Sequence, residues 1–186
     1  MLEKLLTYDR QLLLLLNPDQ PSVWDHFWLL LTNKWASVPL YLLLMFWVYK
    51  NLRLKPFLFF CGLVALLILL TDQTANLFKF GFERPRPCHL ADLQHTLRLV
   101  GGRCGGAYGF FSAHAANSFA LAVFVGLVLK KTHRFIGPAL LIWAFLVALS
   151  RVLIGVHYPG DILAGMLVGT LYGSLFFWAF TKVSGQ

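Results

Sequence analysis

Three short groups of polar residues in the second half of the chain have the types and spacing to bind and cleave a phosphate ester. They are Lys79–Pro87 (KFGFERPRP), Phe111–His114 (FSAH) and Ser150–Asp161 (SRVLIGVHYPGD). Cationic side chains neutralise a phosphoryl group and its transition state, and arginine suits bidentate contact with phosphate oxygens. The groups therefore indicate a phosphate site whose cations are Lys79, Arg86 and Arg151.

The two histidines of these groups suit the chemistry of such a site. One imidazole can attack phosphorus while the other protonates the leaving oxygen. His157 is followed four residues later by Asp161, and the intervening Pro159 suits the first turn of a helix. Asp161 can then hold one imidazole nitrogen and leave the other free to attack. His157 is therefore the predicted nucleophile and His114 the predicted acid.

The segment before His114 offers neutral donors. Ser112 and the Ala113 N–H lie where a helix is predicted to begin, and free N–H groups there attract an anion. A serine hydrolase built on Ser112 and His114 is disfavoured, because residues two apart on a helix point to different faces and no Gly-x-Ser-x-Gly turn is present. A zinc site is disfavoured too, because neither His114 nor His157 has ligand partners at the usual spacing.

The composition places these groups in a membrane protein. Of the 186 residues, 58% are apolar and 13% charged, whereas globular domains have about 45–50% and about 25%. A soluble domain could not bury so much apolar material, disorder needs the opposite composition, and three cysteines do not make a disulfide-rich scaffold. The net charge of +8 lies in short clusters at segment ends, which is typical of topology determinants and disfavours nucleic acid as a partner.

Five apolar runs are candidates to cross a bilayer, which takes about 20 helical residues. They are residues 56–79, 113–129, 135–154, 162–180 and a shorter run with interfacial aromatics, 35–49. We predict an all-α integral membrane bundle with five or six transmembrane helices. Residues 1–186 form a single domain in this interpretation, with the catalytic motifs within 79–161.

The N-terminal region, residues 1–34, is predicted to be interfacial or re-entrant. Leu2–Leu16 carries charges among its leucines, which suits an interfacial helix. The prolines of Asn17–Pro21 break it, and Ser22–Asp25 forms a capping pattern that opens a short apolar helix to about Leu31. A sixth span in this region remains open, and the first apolar run lacks the features of a signal peptide.

Loop charges and cysteines predict the orientation. The loops Lys50–Lys55 and Lys130–Arg134 each carry three basic residues and no acid, so they should be cytoplasmic and the polar groups should face the other side. Disulfides persist on that oxidising side, which predicts a Cys88–Cys104 bridge, whereas Cys61 suits a buried position in an apolar run.

Two helical patterns have structural interpretations. Gly165, Gly169 and Gly173 predict close helix packing along the last span. Asp72 shares a helix face with Lys79, and a hydrogen-bonding role to another helix is favoured over one in orienting Lys79.

The three groups resemble the signature of the PAP2 (type 2 phosphatidic acid phosphatase) superfamily, K-x6-R-P, P-S-G-H and S-R-x5-H-x3-D. The first and third match at Lys79–Pro87 and Ser150–Asp161. The second departs, because Phe111 and Ala113 replace proline and glycine. Ala113 keeps the N–H donor but lacks the backbone freedom of glycine.

The resemblance implies a hydrolase that removes phosphate from a lipid phosphoric monoester or diphosphate through a phosphohistidine, without metal or cofactor. Position by position, it implies His157 as nucleophile, Asp161 as its orienting group and His114 as acid. The implied phosphate-binding groups are Lys79, Arg86, Ser112, the Ala113 N–H and Arg151. Arg84 lies outside the signature, and contact with a headgroup or substrate is the guess for it.

Small bacterial members that resemble this chain act on undecaprenyl diphosphate, phosphatidylglycerol phosphate or lipid A, and undecaprenyl diphosphate is the favoured expectation. The resemblance implies a bacterial inner membrane location, with the site facing the periplasm or cell exterior and membrane lipids as further partners. A non-catalytic binding or transport protein is the competing class. His157 with Asp161 disfavours it, because mere binding needs no oriented nucleophile.

Overall fold

The computed structural model describes residues 2–17, 21–93 and 95–185, and over these ranges the chain is helical and forms no β-strand. The predicted all-α fold is confirmed. The helices are α1 (Leu2–Leu16), α2 (Asp25–Thr32), α3 (Val38–Asn51), α4 (Leu54–Phe82), α5 (Ala113–Val128), α6 (Ile136–Leu153) and α7 (Pro159–Ser184). Two 3₁₀ turns, Pro87–His89 and Ala91–Leu93, lie in the loop between α4 and α5.

Three of the described helices are long and apolar enough to cross a membrane: α4 with 29 residues, α6 with 18 and α7 with 26. At a rise of about 1.5 Å per residue, each covers most or all of a hydrocarbon core of about 30 Å. The other two predicted runs form α5, an apolar helix of 16 residues, and α3, which has 14. The predicted limits of α5 and α6 agree with the observed ones within one residue.

The N-terminal helices form where the sequence predicts them, but the predicted N-cap of α2 does not form. α2 begins at Asp25 with Trp24 at the N-cap position, and no side chain caps the helix. Instead, the Ser22 hydroxyl accepts from the Trp24 N–H at 3.2 Å, and the Asp25 carboxylate accepts from the Ser22 N–H at 3.2 Å. The polar side chains therefore close a turn ahead of the helix. Of the predicted break, Pro18–Gln20 lies outside the described residues.

α5 is the central helix, and the glycines of α7 let the two backbones touch. A Cβ atom at Gly165 would lie 2.6 Å from the Ser112 carbonyl oxygen, and one at Gly169 would lie closer still to that of Ala116. A Cβ at Gly173 would overlap α5 in the same way. The predicted close packing is confirmed. It holds the first turns of α5 and α7 side by side at one end of the bundle.

The loop from α4 to α5 folds back on itself. Its two arms are joined by hydrogen bonds of 2.9 Å, from the Arg86 N–H to the Ala107 carbonyl and from the Gly109 N–H to the Arg84 carbonyl. The arms therefore pair beside residues Pro85 and Tyr108. This pairing brings the arginines that follow α4 against the segment that leads into α5.

A disulfide closes this loop. Cys88 and Cys104 are bonded, with their Cα atoms 5.9 Å apart, within the usual range for a bridge. The predicted pairing is confirmed. Cys61, in α4, is a free thiol that is half-buried.

Candidate active site

The turn between α6 and α7 presents His157. The N–H groups of Val156 and His157 both donate to the Arg151 carbonyl, at 3.1 and 3.2 Å, which closes the end of α6. Pro159 is the first residue of α7, as predicted. The turn leaves His157 almost fully buried between the ends of the two helices.

Asp161 ties the His157 ring to the start of α7. One of its oxygens, Oδ2, accepts from the Tyr158 N–H at 3.0 Å and lies 3.2 Å from Nδ1 of His157. The carboxylate is completely buried. It therefore caps a helix and orients an imidazole at once, which requires the proton of the neutral ring to sit on Nδ1.

The other ring nitrogen faces a cation. Nε2 of His157 lies 3.0 Å from Nη1 of Arg86, which also donates to the Val156 carbonyl at 3.2 Å. With the proton on Nδ1, Nε2 carries the lone pair and accepts from the guanidinium. This nitrogen has the electron pair that a nucleophile needs, beside a group that binds phosphate oxygens.

His157 is neutral at physiological pH. Burial lowers the pKa of His157 to about 4, the hydrogen bond and charge of Asp161 oppose this shift, and the charges of Arg86 and Arg151 add to it. Burial likewise lowers the pKa of Arg86, and Asp161 opposes that shift. A neutral imidazole among cations is the state that can attack phosphorus.

Arg86 and Arg151 have further N–H groups that are available to a phosphate. Nη1 of Arg151 donates to the Thr32 hydroxyl of α2 at 2.5 Å. The Nε atoms of Arg86 and Arg151 are buried and have no hydrogen-bond partner within the part of the chain that the structure describes. A buried donor without a partner is costly, and an anion between the two arginines would satisfy both.

Lys79 completes the cationic group from the last turns of α4. Its ammonium lies 3.4 Å from the Asn76 side-chain oxygen. It is close enough to Arg86 and Arg151 for their charges to act on it. The structure therefore brings together the three cations that the sequence analysis assigned to a phosphate.

The first turn of α5 faces the same place. The N-cap is Ser112, whose hydroxyl accepts from the Ala115 N–H at 3.5 Å, and its own N–H donates to the Asp161 carbonyl at 3.0 Å. Ala113 is the first helical residue, so its N–H has no acceptor within the helix. Alanine adopts this conformation readily, and the replacement of glycine in the signature does not disturb the start of α5.

His114 lies one residue further along, with its side chain exposed. The charges of Arg151, Arg86 and Lys79 all act on it. It lines a cavity of about 350 Å³ that is bordered by residues of α2, α3, α4, α5 and α6. The predicted acid therefore lies near both the cations and the predicted nucleophile.

Asp72 has the hydrogen-bonding role that the sequence analysis favoured. Its Oδ1 accepts from the Asn117 amide of α5 at 2.7 Å, and Asn117 also bonds the Thr71 hydroxyl. These contacts join α4 to α5 below the site.

Two residues that no sequence pattern predicted, Asp9 and Gly109, also contact this group, and the contacts of Arg84 differ from the headgroup or substrate contact expected for it. Arg84 does not stand apart: it donates to Asp161 at 2.7 Å and to Asp9 of α1 at 2.6 Å. A Cβ atom at Gly109 would lie 3.2 Å from Oδ2 of Asp161. Spacing could have suggested Arg84, which neighbours the signature, but no local pattern connects Asp9 to a site more than a hundred residues away.

Within the described residues, no cluster of three or more histidine, cysteine or acidic side chains could hold a metal ion.

A helical bundle with a buried histidine bonded to an aspartate and surrounded by cations has the features expected of an enzyme of phosphate-ester chemistry in a membrane. The sequence model of the PAP2 superfamily matches residues 56–184. The chain belongs to the PAP2 superfamily, and it is a membrane lipid phosphatase.

Known proteins resemble the chain along most of its length. The lipid A 4'-phosphatase of Bacteroides thetaiotaomicron is 37% identical over 191 residues, which cover 100% of this chain and 83% of that protein. The undecaprenyl-diphosphatase BcrC of Bacillus subtilis is 28% identical, over 84% of this chain and 75% of that protein. The crystal structure of a phosphatidylglycerolphosphate phosphatase from Bacillus subtilis superposes with a TM-score of 0.75 at 19% identity, covering 97% of this chain and 88% of that one, and shows the same fold.

Proposed function

We propose that His157 attacks the phosphorus of a lipid phosphate and forms a phosphohistidine. The observation that carries this proposal is the placement of the ring, with Nδ1 3.2 Å from Asp161 and Nε2 3.0 Å from Arg86. The Nε2 lone pair forms the new N–P bond while the bond from phosphorus to the leaving oxygen breaks. The negative charge of the bound phosphate favours the protonated form of His114, which gives its proton to that oxygen.

Water completes the cycle. His114, now neutral, takes a proton from a water molecule, whose oxygen attacks phosphorus. The N–P bond breaks, inorganic phosphate leaves, and the electron pair returns to Nε2 of His157. Both histidines end in the protonation states in which they began.

The phosphoryl oxygens are held by the surrounding donors. Lys79, Arg86 and Arg151 supply positive charge, and the Ser112 hydroxyl and the Ala113 N–H supply neutral donors. The unpartnered Nε atoms of Arg86 and Arg151 support this role. Charge that is already in position lowers the cost of the transition state, so this mechanism has no step that calls for a metal ion or cofactor.

For the substrate, we propose a phosphate monoester on the sugar of a glycolipid, of the kind found at the 4' position of lipid A. The identity of 37% over the whole chain to a lipid A 4'-phosphatase supports it. The sequence analysis favoured undecaprenyl diphosphate instead, and the relative that acts on that lipid is 28% identical over 84% of the chain. The comparisons therefore move the preference to lipid A.

The cavity beside His114 supports a sugar as the leaving group. Its volume of about 350 Å³ is within the usual range of small-molecule sites, about 300–1,000 Å³. Its polar lining consists of Thr32, Lys34, Ser37, Tyr41, Asp72, His114, Asn117 and Ser118, and Trp143 adds an aromatic face. Hydroxyl groups of a sugar can bond to the polar side chains, and the apolar lining residues Leu31, Ile68, Ala113, Leu121 and Val147 can contact the hydrocarbon part of a glycolipid.

The site is proposed to face the periplasm or cell exterior of a bacterial inner membrane. The Cys88–Cys104 bridge lies in the loop that carries Arg84 and Arg86, and disulfides persist in oxidising compartments. The basic loops at the other end of the bundle favour the same orientation.

The test is phosphate release by the purified protein in detergent with EDTA present, from lipid A bisphosphate, undecaprenyl diphosphate and phosphatidylglycerol phosphate. We expect kcat/KM to be highest for lipid A, with mass spectrometry showing loss of the 4' phosphate. His157→Ala serves as the control for contaminating phosphatases. A higher kcat/KM for undecaprenyl diphosphate would favour that lipid as the substrate. Strict dependence on magnesium would contradict the mechanism.

A further inference from the structure

The N-terminal helix reaches the active site through one carboxylate. Asp9, in the middle of α1, accepts through Oδ2 from Nη2 of Arg84 at 2.6 Å and through Oδ1 from the Gly160 N–H at 2.7 Å. Its side chain is 14% exposed. One oxygen of Asp9 therefore contacts the first turn of α7, and the other contacts an arginine of the loop between α4 and α5.

Arg84 continues the contact to the nucleophile. Its Nη1 donates to Oδ1 of Asp161 at 2.7 Å, and its guanidinium lies 4.1 Å from the centre of the Tyr158 ring. The other oxygen of Asp161 orients His157. The arginine thus bridges two carboxylates in a fixed fork, and only one of them touches the histidine.

The backbone at Gly160 makes room for this arrangement. A Cβ atom there would lie 2.8 Å from Oδ2 of Asp9. Only glycine lets the aspartate approach the first turn of α7 so closely. Asp9 therefore fits a gap that a larger residue at position 160 would close.

We propose that Asp9 and Arg84 are positioning residues for the hydrolysis, and that α1 is part of the catalytic apparatus as well as a membrane anchor. The proposal rests on the proposed role of His157 as nucleophile. The line of contacts runs from Asp9 through Arg84 and Asp161 to Nδ1 of His157. Neither Asp9 nor Arg84 takes part in bond making.

The physical effect follows from the charges. Between two carboxylates, the charge of Arg84 is shared, so Asp161 keeps enough negative charge to hold the Nδ1 proton and make Nε2 electron-rich. Without the charge of Asp9, Arg84 interacts with Asp161 alone. The hydrogen bond between Asp161 and Nδ1 of His157 then becomes weaker. Without Arg84, the Asp161 carboxylate is buried with an unpaired oxygen and is free to turn away from the ring.

Asp9→Asn tests this most directly, because it keeps the size of the side chain and its acceptor for the Gly160 N–H. Loss of the groups that orient metal-bound histidines typically costs about 10–100-fold, and we expect a fall in kcat of similar size here. KM should stay within about twofold, because no phosphate-binding group is changed. A structural role alone would lower the amount of folded protein but would not lower kcat for the folded fraction.

The chain offers a matched control. Arg10, the next residue of α1, forms an ion pair of 2.7 Å with Asp92 in the loop between α4 and α5. Asp92→Asn removes a tie between α1 and the rest of the fold without touching the histidine, and should leave kcat unchanged. In a double-mutant cycle, Asp9→Asn should add little to the loss caused by Arg84→Gln, because both act through Asp161.

If Asp9→Asn has the kcat of Asp92→Asn, or if its effect adds in full to that of Arg84→Gln, the proposal is wrong. Gly160→Ala provides a second route should Asp9→Asn fold poorly, because the added methyl displaces the carboxylate, and it should lower kcat in the same way. Trapping of the ³²P-labelled phosphoenzyme distinguishes failure of the proposed function from failure of the proposed role of α1. Failure of wild-type protein to form a histidine-linked intermediate that His157→Ala lacks would contradict the proposed function, whereas its formation with a normal Asp9→Asn rate would contradict only the role of α1.

Discussion

Nε2 of His157 lies 3.0 Å from Nη1 of Arg86, so the nitrogen proposed to attack phosphorus faces an arginine proposed to bind the phosphate. In this structure the guanidinium engages the Nε2 lone pair, so we expect Arg86 to shift its hydrogen bond to the phosphate oxygens and free that lone pair when the substrate binds. The pairing also disfavours protonation of the ring, because a proton on Nε2 would face a fixed cation. Binding of the phosphate and readiness of the nucleophile therefore depend on the same two residues.

Removal of the two histidines should have unequal effects. His157→Ala should abolish turnover because no other side chain takes its place beside Arg86. His114→Ala should slow hydrolysis about 10²–10⁴-fold, the usual contribution of an acid catalyst. The loss should be smaller for substrates with good leaving groups, such as diphosphates. Steady-state rates with a phosphate monoester and a diphosphate test this, and near-normal hydrolysis by His157→Ala would contradict the phosphohistidine.

The pKa of His157 should be measurable in the free enzyme. Histidine-labelled protein in micelles should show, by NMR, one ring that stays neutral until the pH falls to about 4, whereas ordinary histidines titrate near about 6.5. Arg86→Gln removes a positive charge next to the ring and should raise this pKa. A His157 ring that titrates near 6.5 in wild-type protein would contradict the effect of burial.

The same pKa affects stability at low pH. The unfolded chain takes up a proton on this histidine near about pH 6.5, but the folded chain does so only near pH 4. The unfolded state therefore binds more protons between these values, and the free energy of unfolding should fall as the pH decreases through them. Thermal unfolding in detergent as a function of pH, with His157→Gln for comparison, should show this loss in wild-type protein and a smaller loss in the variant.

Close packing of α5 on α7 should be sensitive to a single methyl group. Gly169→Ala places a Cβ against the Ala116 carbonyl, and such overpacking typically costs about 1–3 kcal/mol. Gly62→Ala, on α4, is the matched control because nothing lies within 4 Å of its Cβ position. The midpoint of thermal unfolding should fall for Gly169→Ala and not for Gly62→Ala. Equal midpoints would mean that the two helices can separate without cost.

The loop disulfide tests both stability and orientation. By the chain-entropy model, Cys88→Ser should cost about 3 kcal/mol and leave Cys104 as a free thiol. In intact cells, a membrane-impermeant thiol reagent should label Cys104 of this variant without permeabilisation. Cys61→Ser, combined with Cys88→Ser, removes the thiol of α4 as a source of signal. Labelling that occurs only after permeabilisation would place the active site on the cytoplasmic side.

Much of the fold could be predicted because the helices of a membrane protein appear as long apolar runs in the sequence. Long apolar runs form helices in a membrane protein, so the limits of α5 and α6 could be predicted within one residue. The glycines of α7 and the cysteines of the loop were equally visible, because their spacing reflects a single helix face and a single closed loop. The cap of α2 could not be predicted, because several polar side chains in a short turn can satisfy the same N–H groups in more than one way.

The residues of the candidate site also fall into those that the sequence predicts and those that it does not. His157 and Asp161 are four residues apart at the start of a helix, so sequence alone determined that they could pair. The cations and His114 were identified by their types and by their similarity to the PAP2 signature, and their convergence on one end of the bundle followed from the topology of the helices. These are local properties or consequences of helices that cross the membrane in order.

Only the tertiary structure decided the roles of Asp9 and Arg84. Asp9 lies in a helix whose leucines and charges are explained by the membrane interface alone, and nothing in that pattern distinguishes it from its neighbours. Its contact with Gly160 joins residues 151 positions apart. Such a contact depends on how α1 docks against α7, and docking is determined by the packing of the whole bundle and leaves no periodic trace in the sequence.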